Sequence, residues 1–369
     1  MQKEGLVYKE ADNKLNGRQQ LILDIFRIVA AAFVLIGHSF SFYQCTIFKD
    51  EAFFPYLQNI GVVFFFLLAG FLTTYSLCRR TKRRQYSFSD YSKHKFFRIM
   101  KEYVPGLVII AIIDTIAINI NGDRYAYLEA FSIKQFFGCL FMLQNMGPYG
   151  ILGRMFVPFG SGRPLWTLSV EWWLYMLYGA VFLWIRNKEK INMQRMLVFI
   201  FFLLMSSNYL VTGRGAGLGF VFALGVLSYF IYDSLSRNTA ITVFLLSVLA
   251  YVVYGAVIRN AYTVYSFIIL WMLFTAAIKI GGGNAETQTR NPVVGFVSKS
   301  TFMLYLIHYS IIDLFANLNS PWNTEIRFIV GIICSISISF GAYFVFAEYD
   351  LIGRIINKVR KTLTMITLS

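Results

Sequence analysis

Residues 21–43 read LILDIFRIVAAAFVLIGHSFSFY. A bilayer-spanning helix needs about 20 mostly apolar residues, and this run has that length and character. It also carries Asp24, Arg27 and His38. Ionisable groups at the bilayer centre cost about 2.5–3.5 kcal/mol each on insertion scales, so each one points to a function or a partner. Arg27 and His38 are eleven positions apart, three helical turns plus about 20°, so they share a face and stand about 16 Å apart along the axis. Asp24, three positions before Arg27, is close enough to pair with it.

Nine more runs of this kind follow, near 60–78, 103–120, 166–186, 195–212, 217–232, 240–257, 263–280, 300–318 and 326–347. The composition agrees: of 369 residues, 57% are hydrophobic, 18% are aromatic and only 14% are charged. A soluble domain carries roughly a quarter charged residues; a protein whose exterior faces lipid does not. The expected fold is an all-α membrane protein, a bundle of about ten transmembrane helices. Residues 21–347 form one domain between an N-terminal tail, 1–20, and a basic C-terminal tail, 348–369. The polar start and the lack of a small-residue cleavage site predict that the first helix is kept as an anchor.

Charge sets the expected orientation. The segment 79–102 holds nine basic residues, namely Arg79, Arg80, Lys82, Arg83, Arg84, Lys93, Lys95, Arg98 and Lys101. It reads as a cytoplasmic loop, as does 186–195 with Arg186, Lys188, Lys190 and Arg195. A third crossing between them, at the short apolar stretch 134–146, would put one basic loop on the wrong side. The segment 121–165 is therefore expected outside, and both termini inside. The net charge of +15 is carried by such loops, which argues against nucleic-acid binding. The four cysteines and three histidines (His38, His94, His308) have no metal-ligand spacing, so no metal is expected.

This topology puts His38, Glu171 and Asp313 about five residues below the outer ends of their helices, and Asp114 about six. The four thus fall in one expected layer. For Asp114, Asp313 and mid-span His308 the alternative is a structural role near the interface or within the packing. Glu171, inside WTLSVEWW, is harder to read that way.

Four ordered segments resemble acyltransferase family 3, a family of integral membrane enzymes. LDIFRIVAAAFVLIGHSF at 23–40 resembles its first helix, with Arg and His spaced as here. GVVFFFLLAGFL at 61–72, WTLSVEWWLYMLY at 166–178 and YLIHYS at 305–310 resemble three further family segments. Ala69 stands where the family has Ser, Ser310 where Pro is common, and Lys95-Phe-Phe-Arg98 where it has an Arg-x-x-Arg pair. Lysine offers phosphate a point charge and not a bidentate fork.

The resemblance implies transfer of an acetyl or other short acyl group from acyl-coenzyme A, most simply acetyl-coenzyme A, to a hydroxyl on a cell-surface or lipid-linked saccharide. It implies a multi-pass protein of the cell membrane whose partners are the bilayer, the donor and a saccharide. Lys95, Arg98 and Arg27 are the candidate donor contacts. His38 is the candidate base for the acceptor hydroxyl, or the carrier of the acyl group itself. Glu171 is a candidate to orient His38 or to bind the acceptor. Asp114, His308, Asp313 and Trp166 are candidate acceptor-side or supporting residues. Two other readings fit intramembrane charge, a transporter or flippase for a glycan and a non-catalytic partner of a glycan synthase. The absence of an inverted repeat argues against the first, and the Arg27/His38 pair against the second.

Overall fold

The computed structural model describes residues 15–43, 57–144, 155–210, 217–258, 260–282, 291–318, 322–351 and 353–354. No strand occurs among them. In chain order the α-helices are α1 (Gly17–Tyr43), α2 (Leu57–Arg83), α3 (Phe88–Asn121), α4 (Ile133–Leu140), α5 (Leu165–Arg186) and α6 (Met193–Leu210). They continue with α7 (Leu218–Ile231), α8 (Arg237–Val257), α9 (Val264–Ile280), α10 (Pro292–Asn317) and α11 (Thr324–Tyr343), which runs on into a π-helical turn, Phe344–Glu348. Each of the ten apolar runs falls mainly in one helix, and residues 211–212 of the run 195–212 lie outside the described residues. Six helices, α1, α2, α3, α5, α8 and α11, are long and apolar enough to cross a membrane, whereas α6, α7 and α9 are apolar but shorter. Most of the tail residues, 1–14 and 355–369, lie outside the described residues.

The centre of the bundle is α2. Of its apolar window 78% is buried, against 22% for α8 and 28% for the helix that contains α11. The central helix packs on α1 and α7, while α10 packs on α1, α3 and α11. Glycine permits the α2–α7 crossing. A Cβ on Gly70 would stand 2.1 Å from the carbonyl oxygen of Phe222, and one on Gly225 would stand 2.2 Å from that of Leu67. Two backbones approach that closely only where small residues face each other.

The basic segment 79–102 is not a loop. Arg79, Arg80, Lys82 and Arg83 belong to the last turns of α2, and Lys93, Lys95, Arg98 and Lys101 to the first turns of α3. Only Arg84, of the nine, lies in the link. The reason is local. Ser87 caps α3 by accepting from the Asp90 amide, and the Asp90 carboxylate accepts from the Ser87 amide in return. The cap starts the helix fifteen residues before its apolar run, at Phe88. At 1.5 Å per residue its 34 residues span roughly 50 Å, longer than a bilayer core, so basic side chains extend from a rigid rod.

Between α3 and α5 the described chain forms two 3₁₀ turns, Gly122–Arg124 and Leu128–Ala130, and the eight-residue α4, too short to cross a bilayer. Buried Gln135 and Gln144 hold this segment. Gln135 donates to the Met155 carbonyl and accepts from the Val157 amide. Gln144 donates to the Leu165 carbonyl at 3.0 Å and to the Tyr103 hydroxyl at 3.3 Å. Residues 145–154 lie outside the described residues.

Candidate active site

One cavity of about 500 Å³ opens among α1, α2, α3, α5, α10 and the π-helical turn. Its lining brings together five basic side chains, Arg27, Lys95, Arg98, Lys101 and Lys299, and three acidic ones, Glu102, Glu171 and Glu348. The rest is largely apolar or hydroxylic, with Phe65, Ala69, Thr73, Tyr175 and Tyr305 among it. A mostly apolar hollow with a surplus of cations suits an amphipathic anion better than a neutral sugar.

Three of these charged groups, Arg27, Lys95 and Glu171, are held by neighbours. Arg27 pairs with buried Asp24 at 3.5 Å, and Asp24 accepts from Ser298 of α10 at 2.7 Å, so the expected pair is also a link between helices. Lys95 is buried, donates to the Thr73 hydroxyl at 3.0 Å and stands 3.4 Å from the centre of the Tyr175 ring. A desolvated ammonium against an aromatic face is held by a cation–π attraction of about 2 kcal/mol. Glu171 accepts a hydrogen bond from the Tyr175 hydroxyl, so Tyr175 joins the acid and the lysine. Arg98 is exposed at the cavity edge.

The expected layer of four ionisable groups divides into three. Glu171 faces the basic cavity, where it accepts from Tyr175, one helical turn on. Asp114 and Asp313 lie elsewhere. Asp114 accepts from the Ser161 amide at 2.9 Å and from its hydroxyl at 2.5 Å, and Ser310 lies 2.6 Å from that hydroxyl. This holds the turn at Gly160, whose φ of +50° suits glycine and where a Cβ would meet the Asp114 carboxylate at 1.9 Å. Asp313 is buried and accepts from Asn317 at 3.0 Å. Trp166 stacks on Tyr209 with ring centres 5.8 Å apart, and it does not line the cavity.

His38 forms the third group. Its ring centre is 5.4 Å from that of His308 and 5.0 Å from that of Tyr309. Tyr305 belongs both to the cavity and to this group: it lines the cavity, hydrogen-bonds Thr167 at 2.5 Å, and its ring is 6.0 Å from His308. The basic cavity and the histidine pair are thus one aromatic ring apart. Sequence reasoning did not single out Tyr175, Tyr305 or Tyr309. The spacing of Tyr175 four after Glu171, and the places of Tyr305 and Tyr309 in YLIHYS, were the available signals. His94 hydrogen-bonds Arg80 at 2.8 Å, away from His38 and His308. Among the described residues no three His, Cys, Asp or Glu side chains gather in a way that could hold a metal ion.

A family model described as an acyltransferase domain matches residues 20–345, nearly the whole chain. The chain belongs to acyltransferase family 3. It is an acyltransferase with several apolar helices that suit a multi-pass membrane protein. No curated protein and no solved structure matches it. The matched span contains every residue of the cavity lining except Ala347 and Glu348, and both histidines, so this acyltransferase carries its cavity and its His38–His308 pair within the family domain.

Proposed function

We propose that the acyltransferase takes an acetyl or other short acyl group from acyl-coenzyme A on the cytoplasmic side and transfers it to a hydroxyl of a cell-surface or lipid-linked saccharide. The observation that carries the reading is the basic cavity set one aromatic ring from His38 and His308. In this reading ten helices, all but α4, cross the membrane with both termini inside. The basic ends of α2 and α3 then lie on the cytoplasmic side, where the donor is made.

The donor's phosphates meet Lys95, Arg98 and Arg27, with Lys101 and Lys299 at hand, and its thioester arm extends past Tyr305. His38 takes the proton of the acceptor hydroxyl as the oxygen attacks the thioester carbonyl. The new C–O ester bond forms, the C–S bond breaks, and the leaving thiolate receives the proton from the His38 imidazolium. Glu171 holds Lys95 and Tyr175 in place as a support of the donor seat. Asp114, beside the turn at Gly160, and Asp313, bonded to Asn317, support the acceptor side.

The test is purified protein incubated with radiolabelled acetyl-coenzyme A and a panel of saccharides. Wild type is expected to label a saccharide, and His38→Ala to lose about 10²–10⁴ of the rate with donor binding intact. Transfer by His38→Ala at the wild-type rate would remove His38 from the chemistry.

A further inference from the structure

His308 is almost fully buried on α10, and its Nδ1 lies 2.9 Å from two backbone carbonyl oxygens, those of Leu304 and Tyr305. Carbonyl oxygens only accept, so Nδ1 carries the proton. In the neutral ring Nε2 is then a lone-pair acceptor. That atom is buried with no hydrogen-bond partner among the described residues. A buried acceptor left open in a dry interior is unfavourable, and native interiors rarely keep one without a use.

The nearest imidazole is His38, with ring centres 5.4 Å apart and planes inclined by 33°. Stacked rings would be closer and more parallel. Two imidazoles joined edge to edge by an N–H···N bond have centres about 5 Å apart, since each ring nitrogen stands about 1.1 Å from its centre and the bond spans about 2.9 Å. The observed separation is a few tenths of an ångström beyond that. Tyr309 closes one side of His38 edge-on at 5.0 Å, and its hydroxyl lies 3.4 Å from that of Tyr127.

We propose that His308 is the positioning residue of the transfer reaction: its Nε2 accepts an N–H of His38, fixing the tautomer and aim of that ring so that the other His38 nitrogen faces the acceptor hydroxyl. The inference rests on the reading of His38 as the base and adds the group that orients it. The proton balance is simple. His308 keeps its proton on Nδ1 throughout. His38 gains the hydroxyl proton and passes it to the leaving thiolate. While His38 is an imidazolium, the Nε2 lone pair stabilises it, the part a carboxylate plays in a nucleophile–base–acid triad.

Two substitutions separate this role from packing. In His308→Gln the amide oxygen reaches the place of Nε2 and can accept from His38, while the bond to the Leu304 carbonyl is lost. In His308→Asn the amide nitrogen replaces Nδ1 and keeps that backbone bond, but nothing reaches His38. Membranes holding matched amounts of each variant are given radiolabelled acetyl-coenzyme A, and label passed to membrane saccharide and label released as acetate are both counted. The expected order is wild type, then Gln, then Asn, with kcat lowered about 10²-fold in Asn, at least tenfold recovered in Gln, and the donor KM unchanged in both. Asn equal to or better than Gln would overturn the proposal, since retention of the backbone bond would then be what matters. So would Asn within threefold of wild type. Failure of the underlying reading looks different: His38→Ala would then transfer at the wild-type rate whatever the His308 variants do.

Discussion

Lys95 is the basic residue of the cavity that the fold buries most thoroughly, between the Thr73 hydroxyl and the Tyr175 ring. Arg98, on the same side of the cavity, stays exposed, where salt screens its charge. The two therefore differ as donor contacts. Lys95→Met is expected to weaken acetyl-coenzyme A binding by tenfold or more, about 1.4 kcal/mol or above. Arg98→Gln should cost less, and less again at high salt. Calorimetric titration of the two single variants and the double variant decides it; an unchanged Kd in the double variant rules this seat out. The sequence offered Arg27, Lys95 and Arg98 as donor-side candidates because charge in an apolar chain stands out and because Lys95-Phe-Phe-Arg98 resembles a family pair. It did not make Glu171 legible as their neighbour. Its depth along α5 matched that of His38, but helical phase, which only packing fixes, turns it toward Lys95 and Tyr175.

At the scale of the helices, the all-helical class was legible because hydropathy is local, and six of the ten runs lie in helices long and apolar enough to cross a bilayer. The course of α3 was not. Its first fifteen residues are too polar to look like a span, and the Ser87/Asp90 cap, a four-residue signature, was the feature that marked them as helix. The consequence is functional, because Lys95, Arg98 and Lys101 stand on a rod continuous with the membrane helix and not on a loop. The α2–α7 crossing gives the element-scale prediction. Gly70→Val places methyl groups where the Phe222 carbonyl already lies 2.1 Å from a Cβ, so the helices must part. Overpacking of this kind typically destabilises by about 1–3 kcal/mol. A thermal-unfolding midpoint in detergent equal to that of wild type would show that the crossing tolerates the strain.

The whole molecule is an acyltransferase whose ends face one way or the other, and labelling can find out which. Cys139 should give no background in such work: its thiol is fully buried, accepts from the Phe159 amide at 3.1 Å, and is pushed by burial up to about 12. A thiol raised that far is scarcely ionised at pH 8, so maleimide should leave it unmodified in the folded protein. Glu129→Cys, exposed between α3 and α4, is expected to react with an impermeant maleimide from outside intact cells, and Lys188→Cys only after the cytoplasmic face is opened. The reverse pattern would invert the topology and move the basic cavity away from the donor. Most direct is transfer in sealed vesicles of known orientation, with radiolabelled acetyl-coenzyme A supplied on one face only. The account predicts labelled saccharide when the donor is on the cytoplasmic face and almost none when it is on the other; label that appears only with donor on the outer face would contradict it.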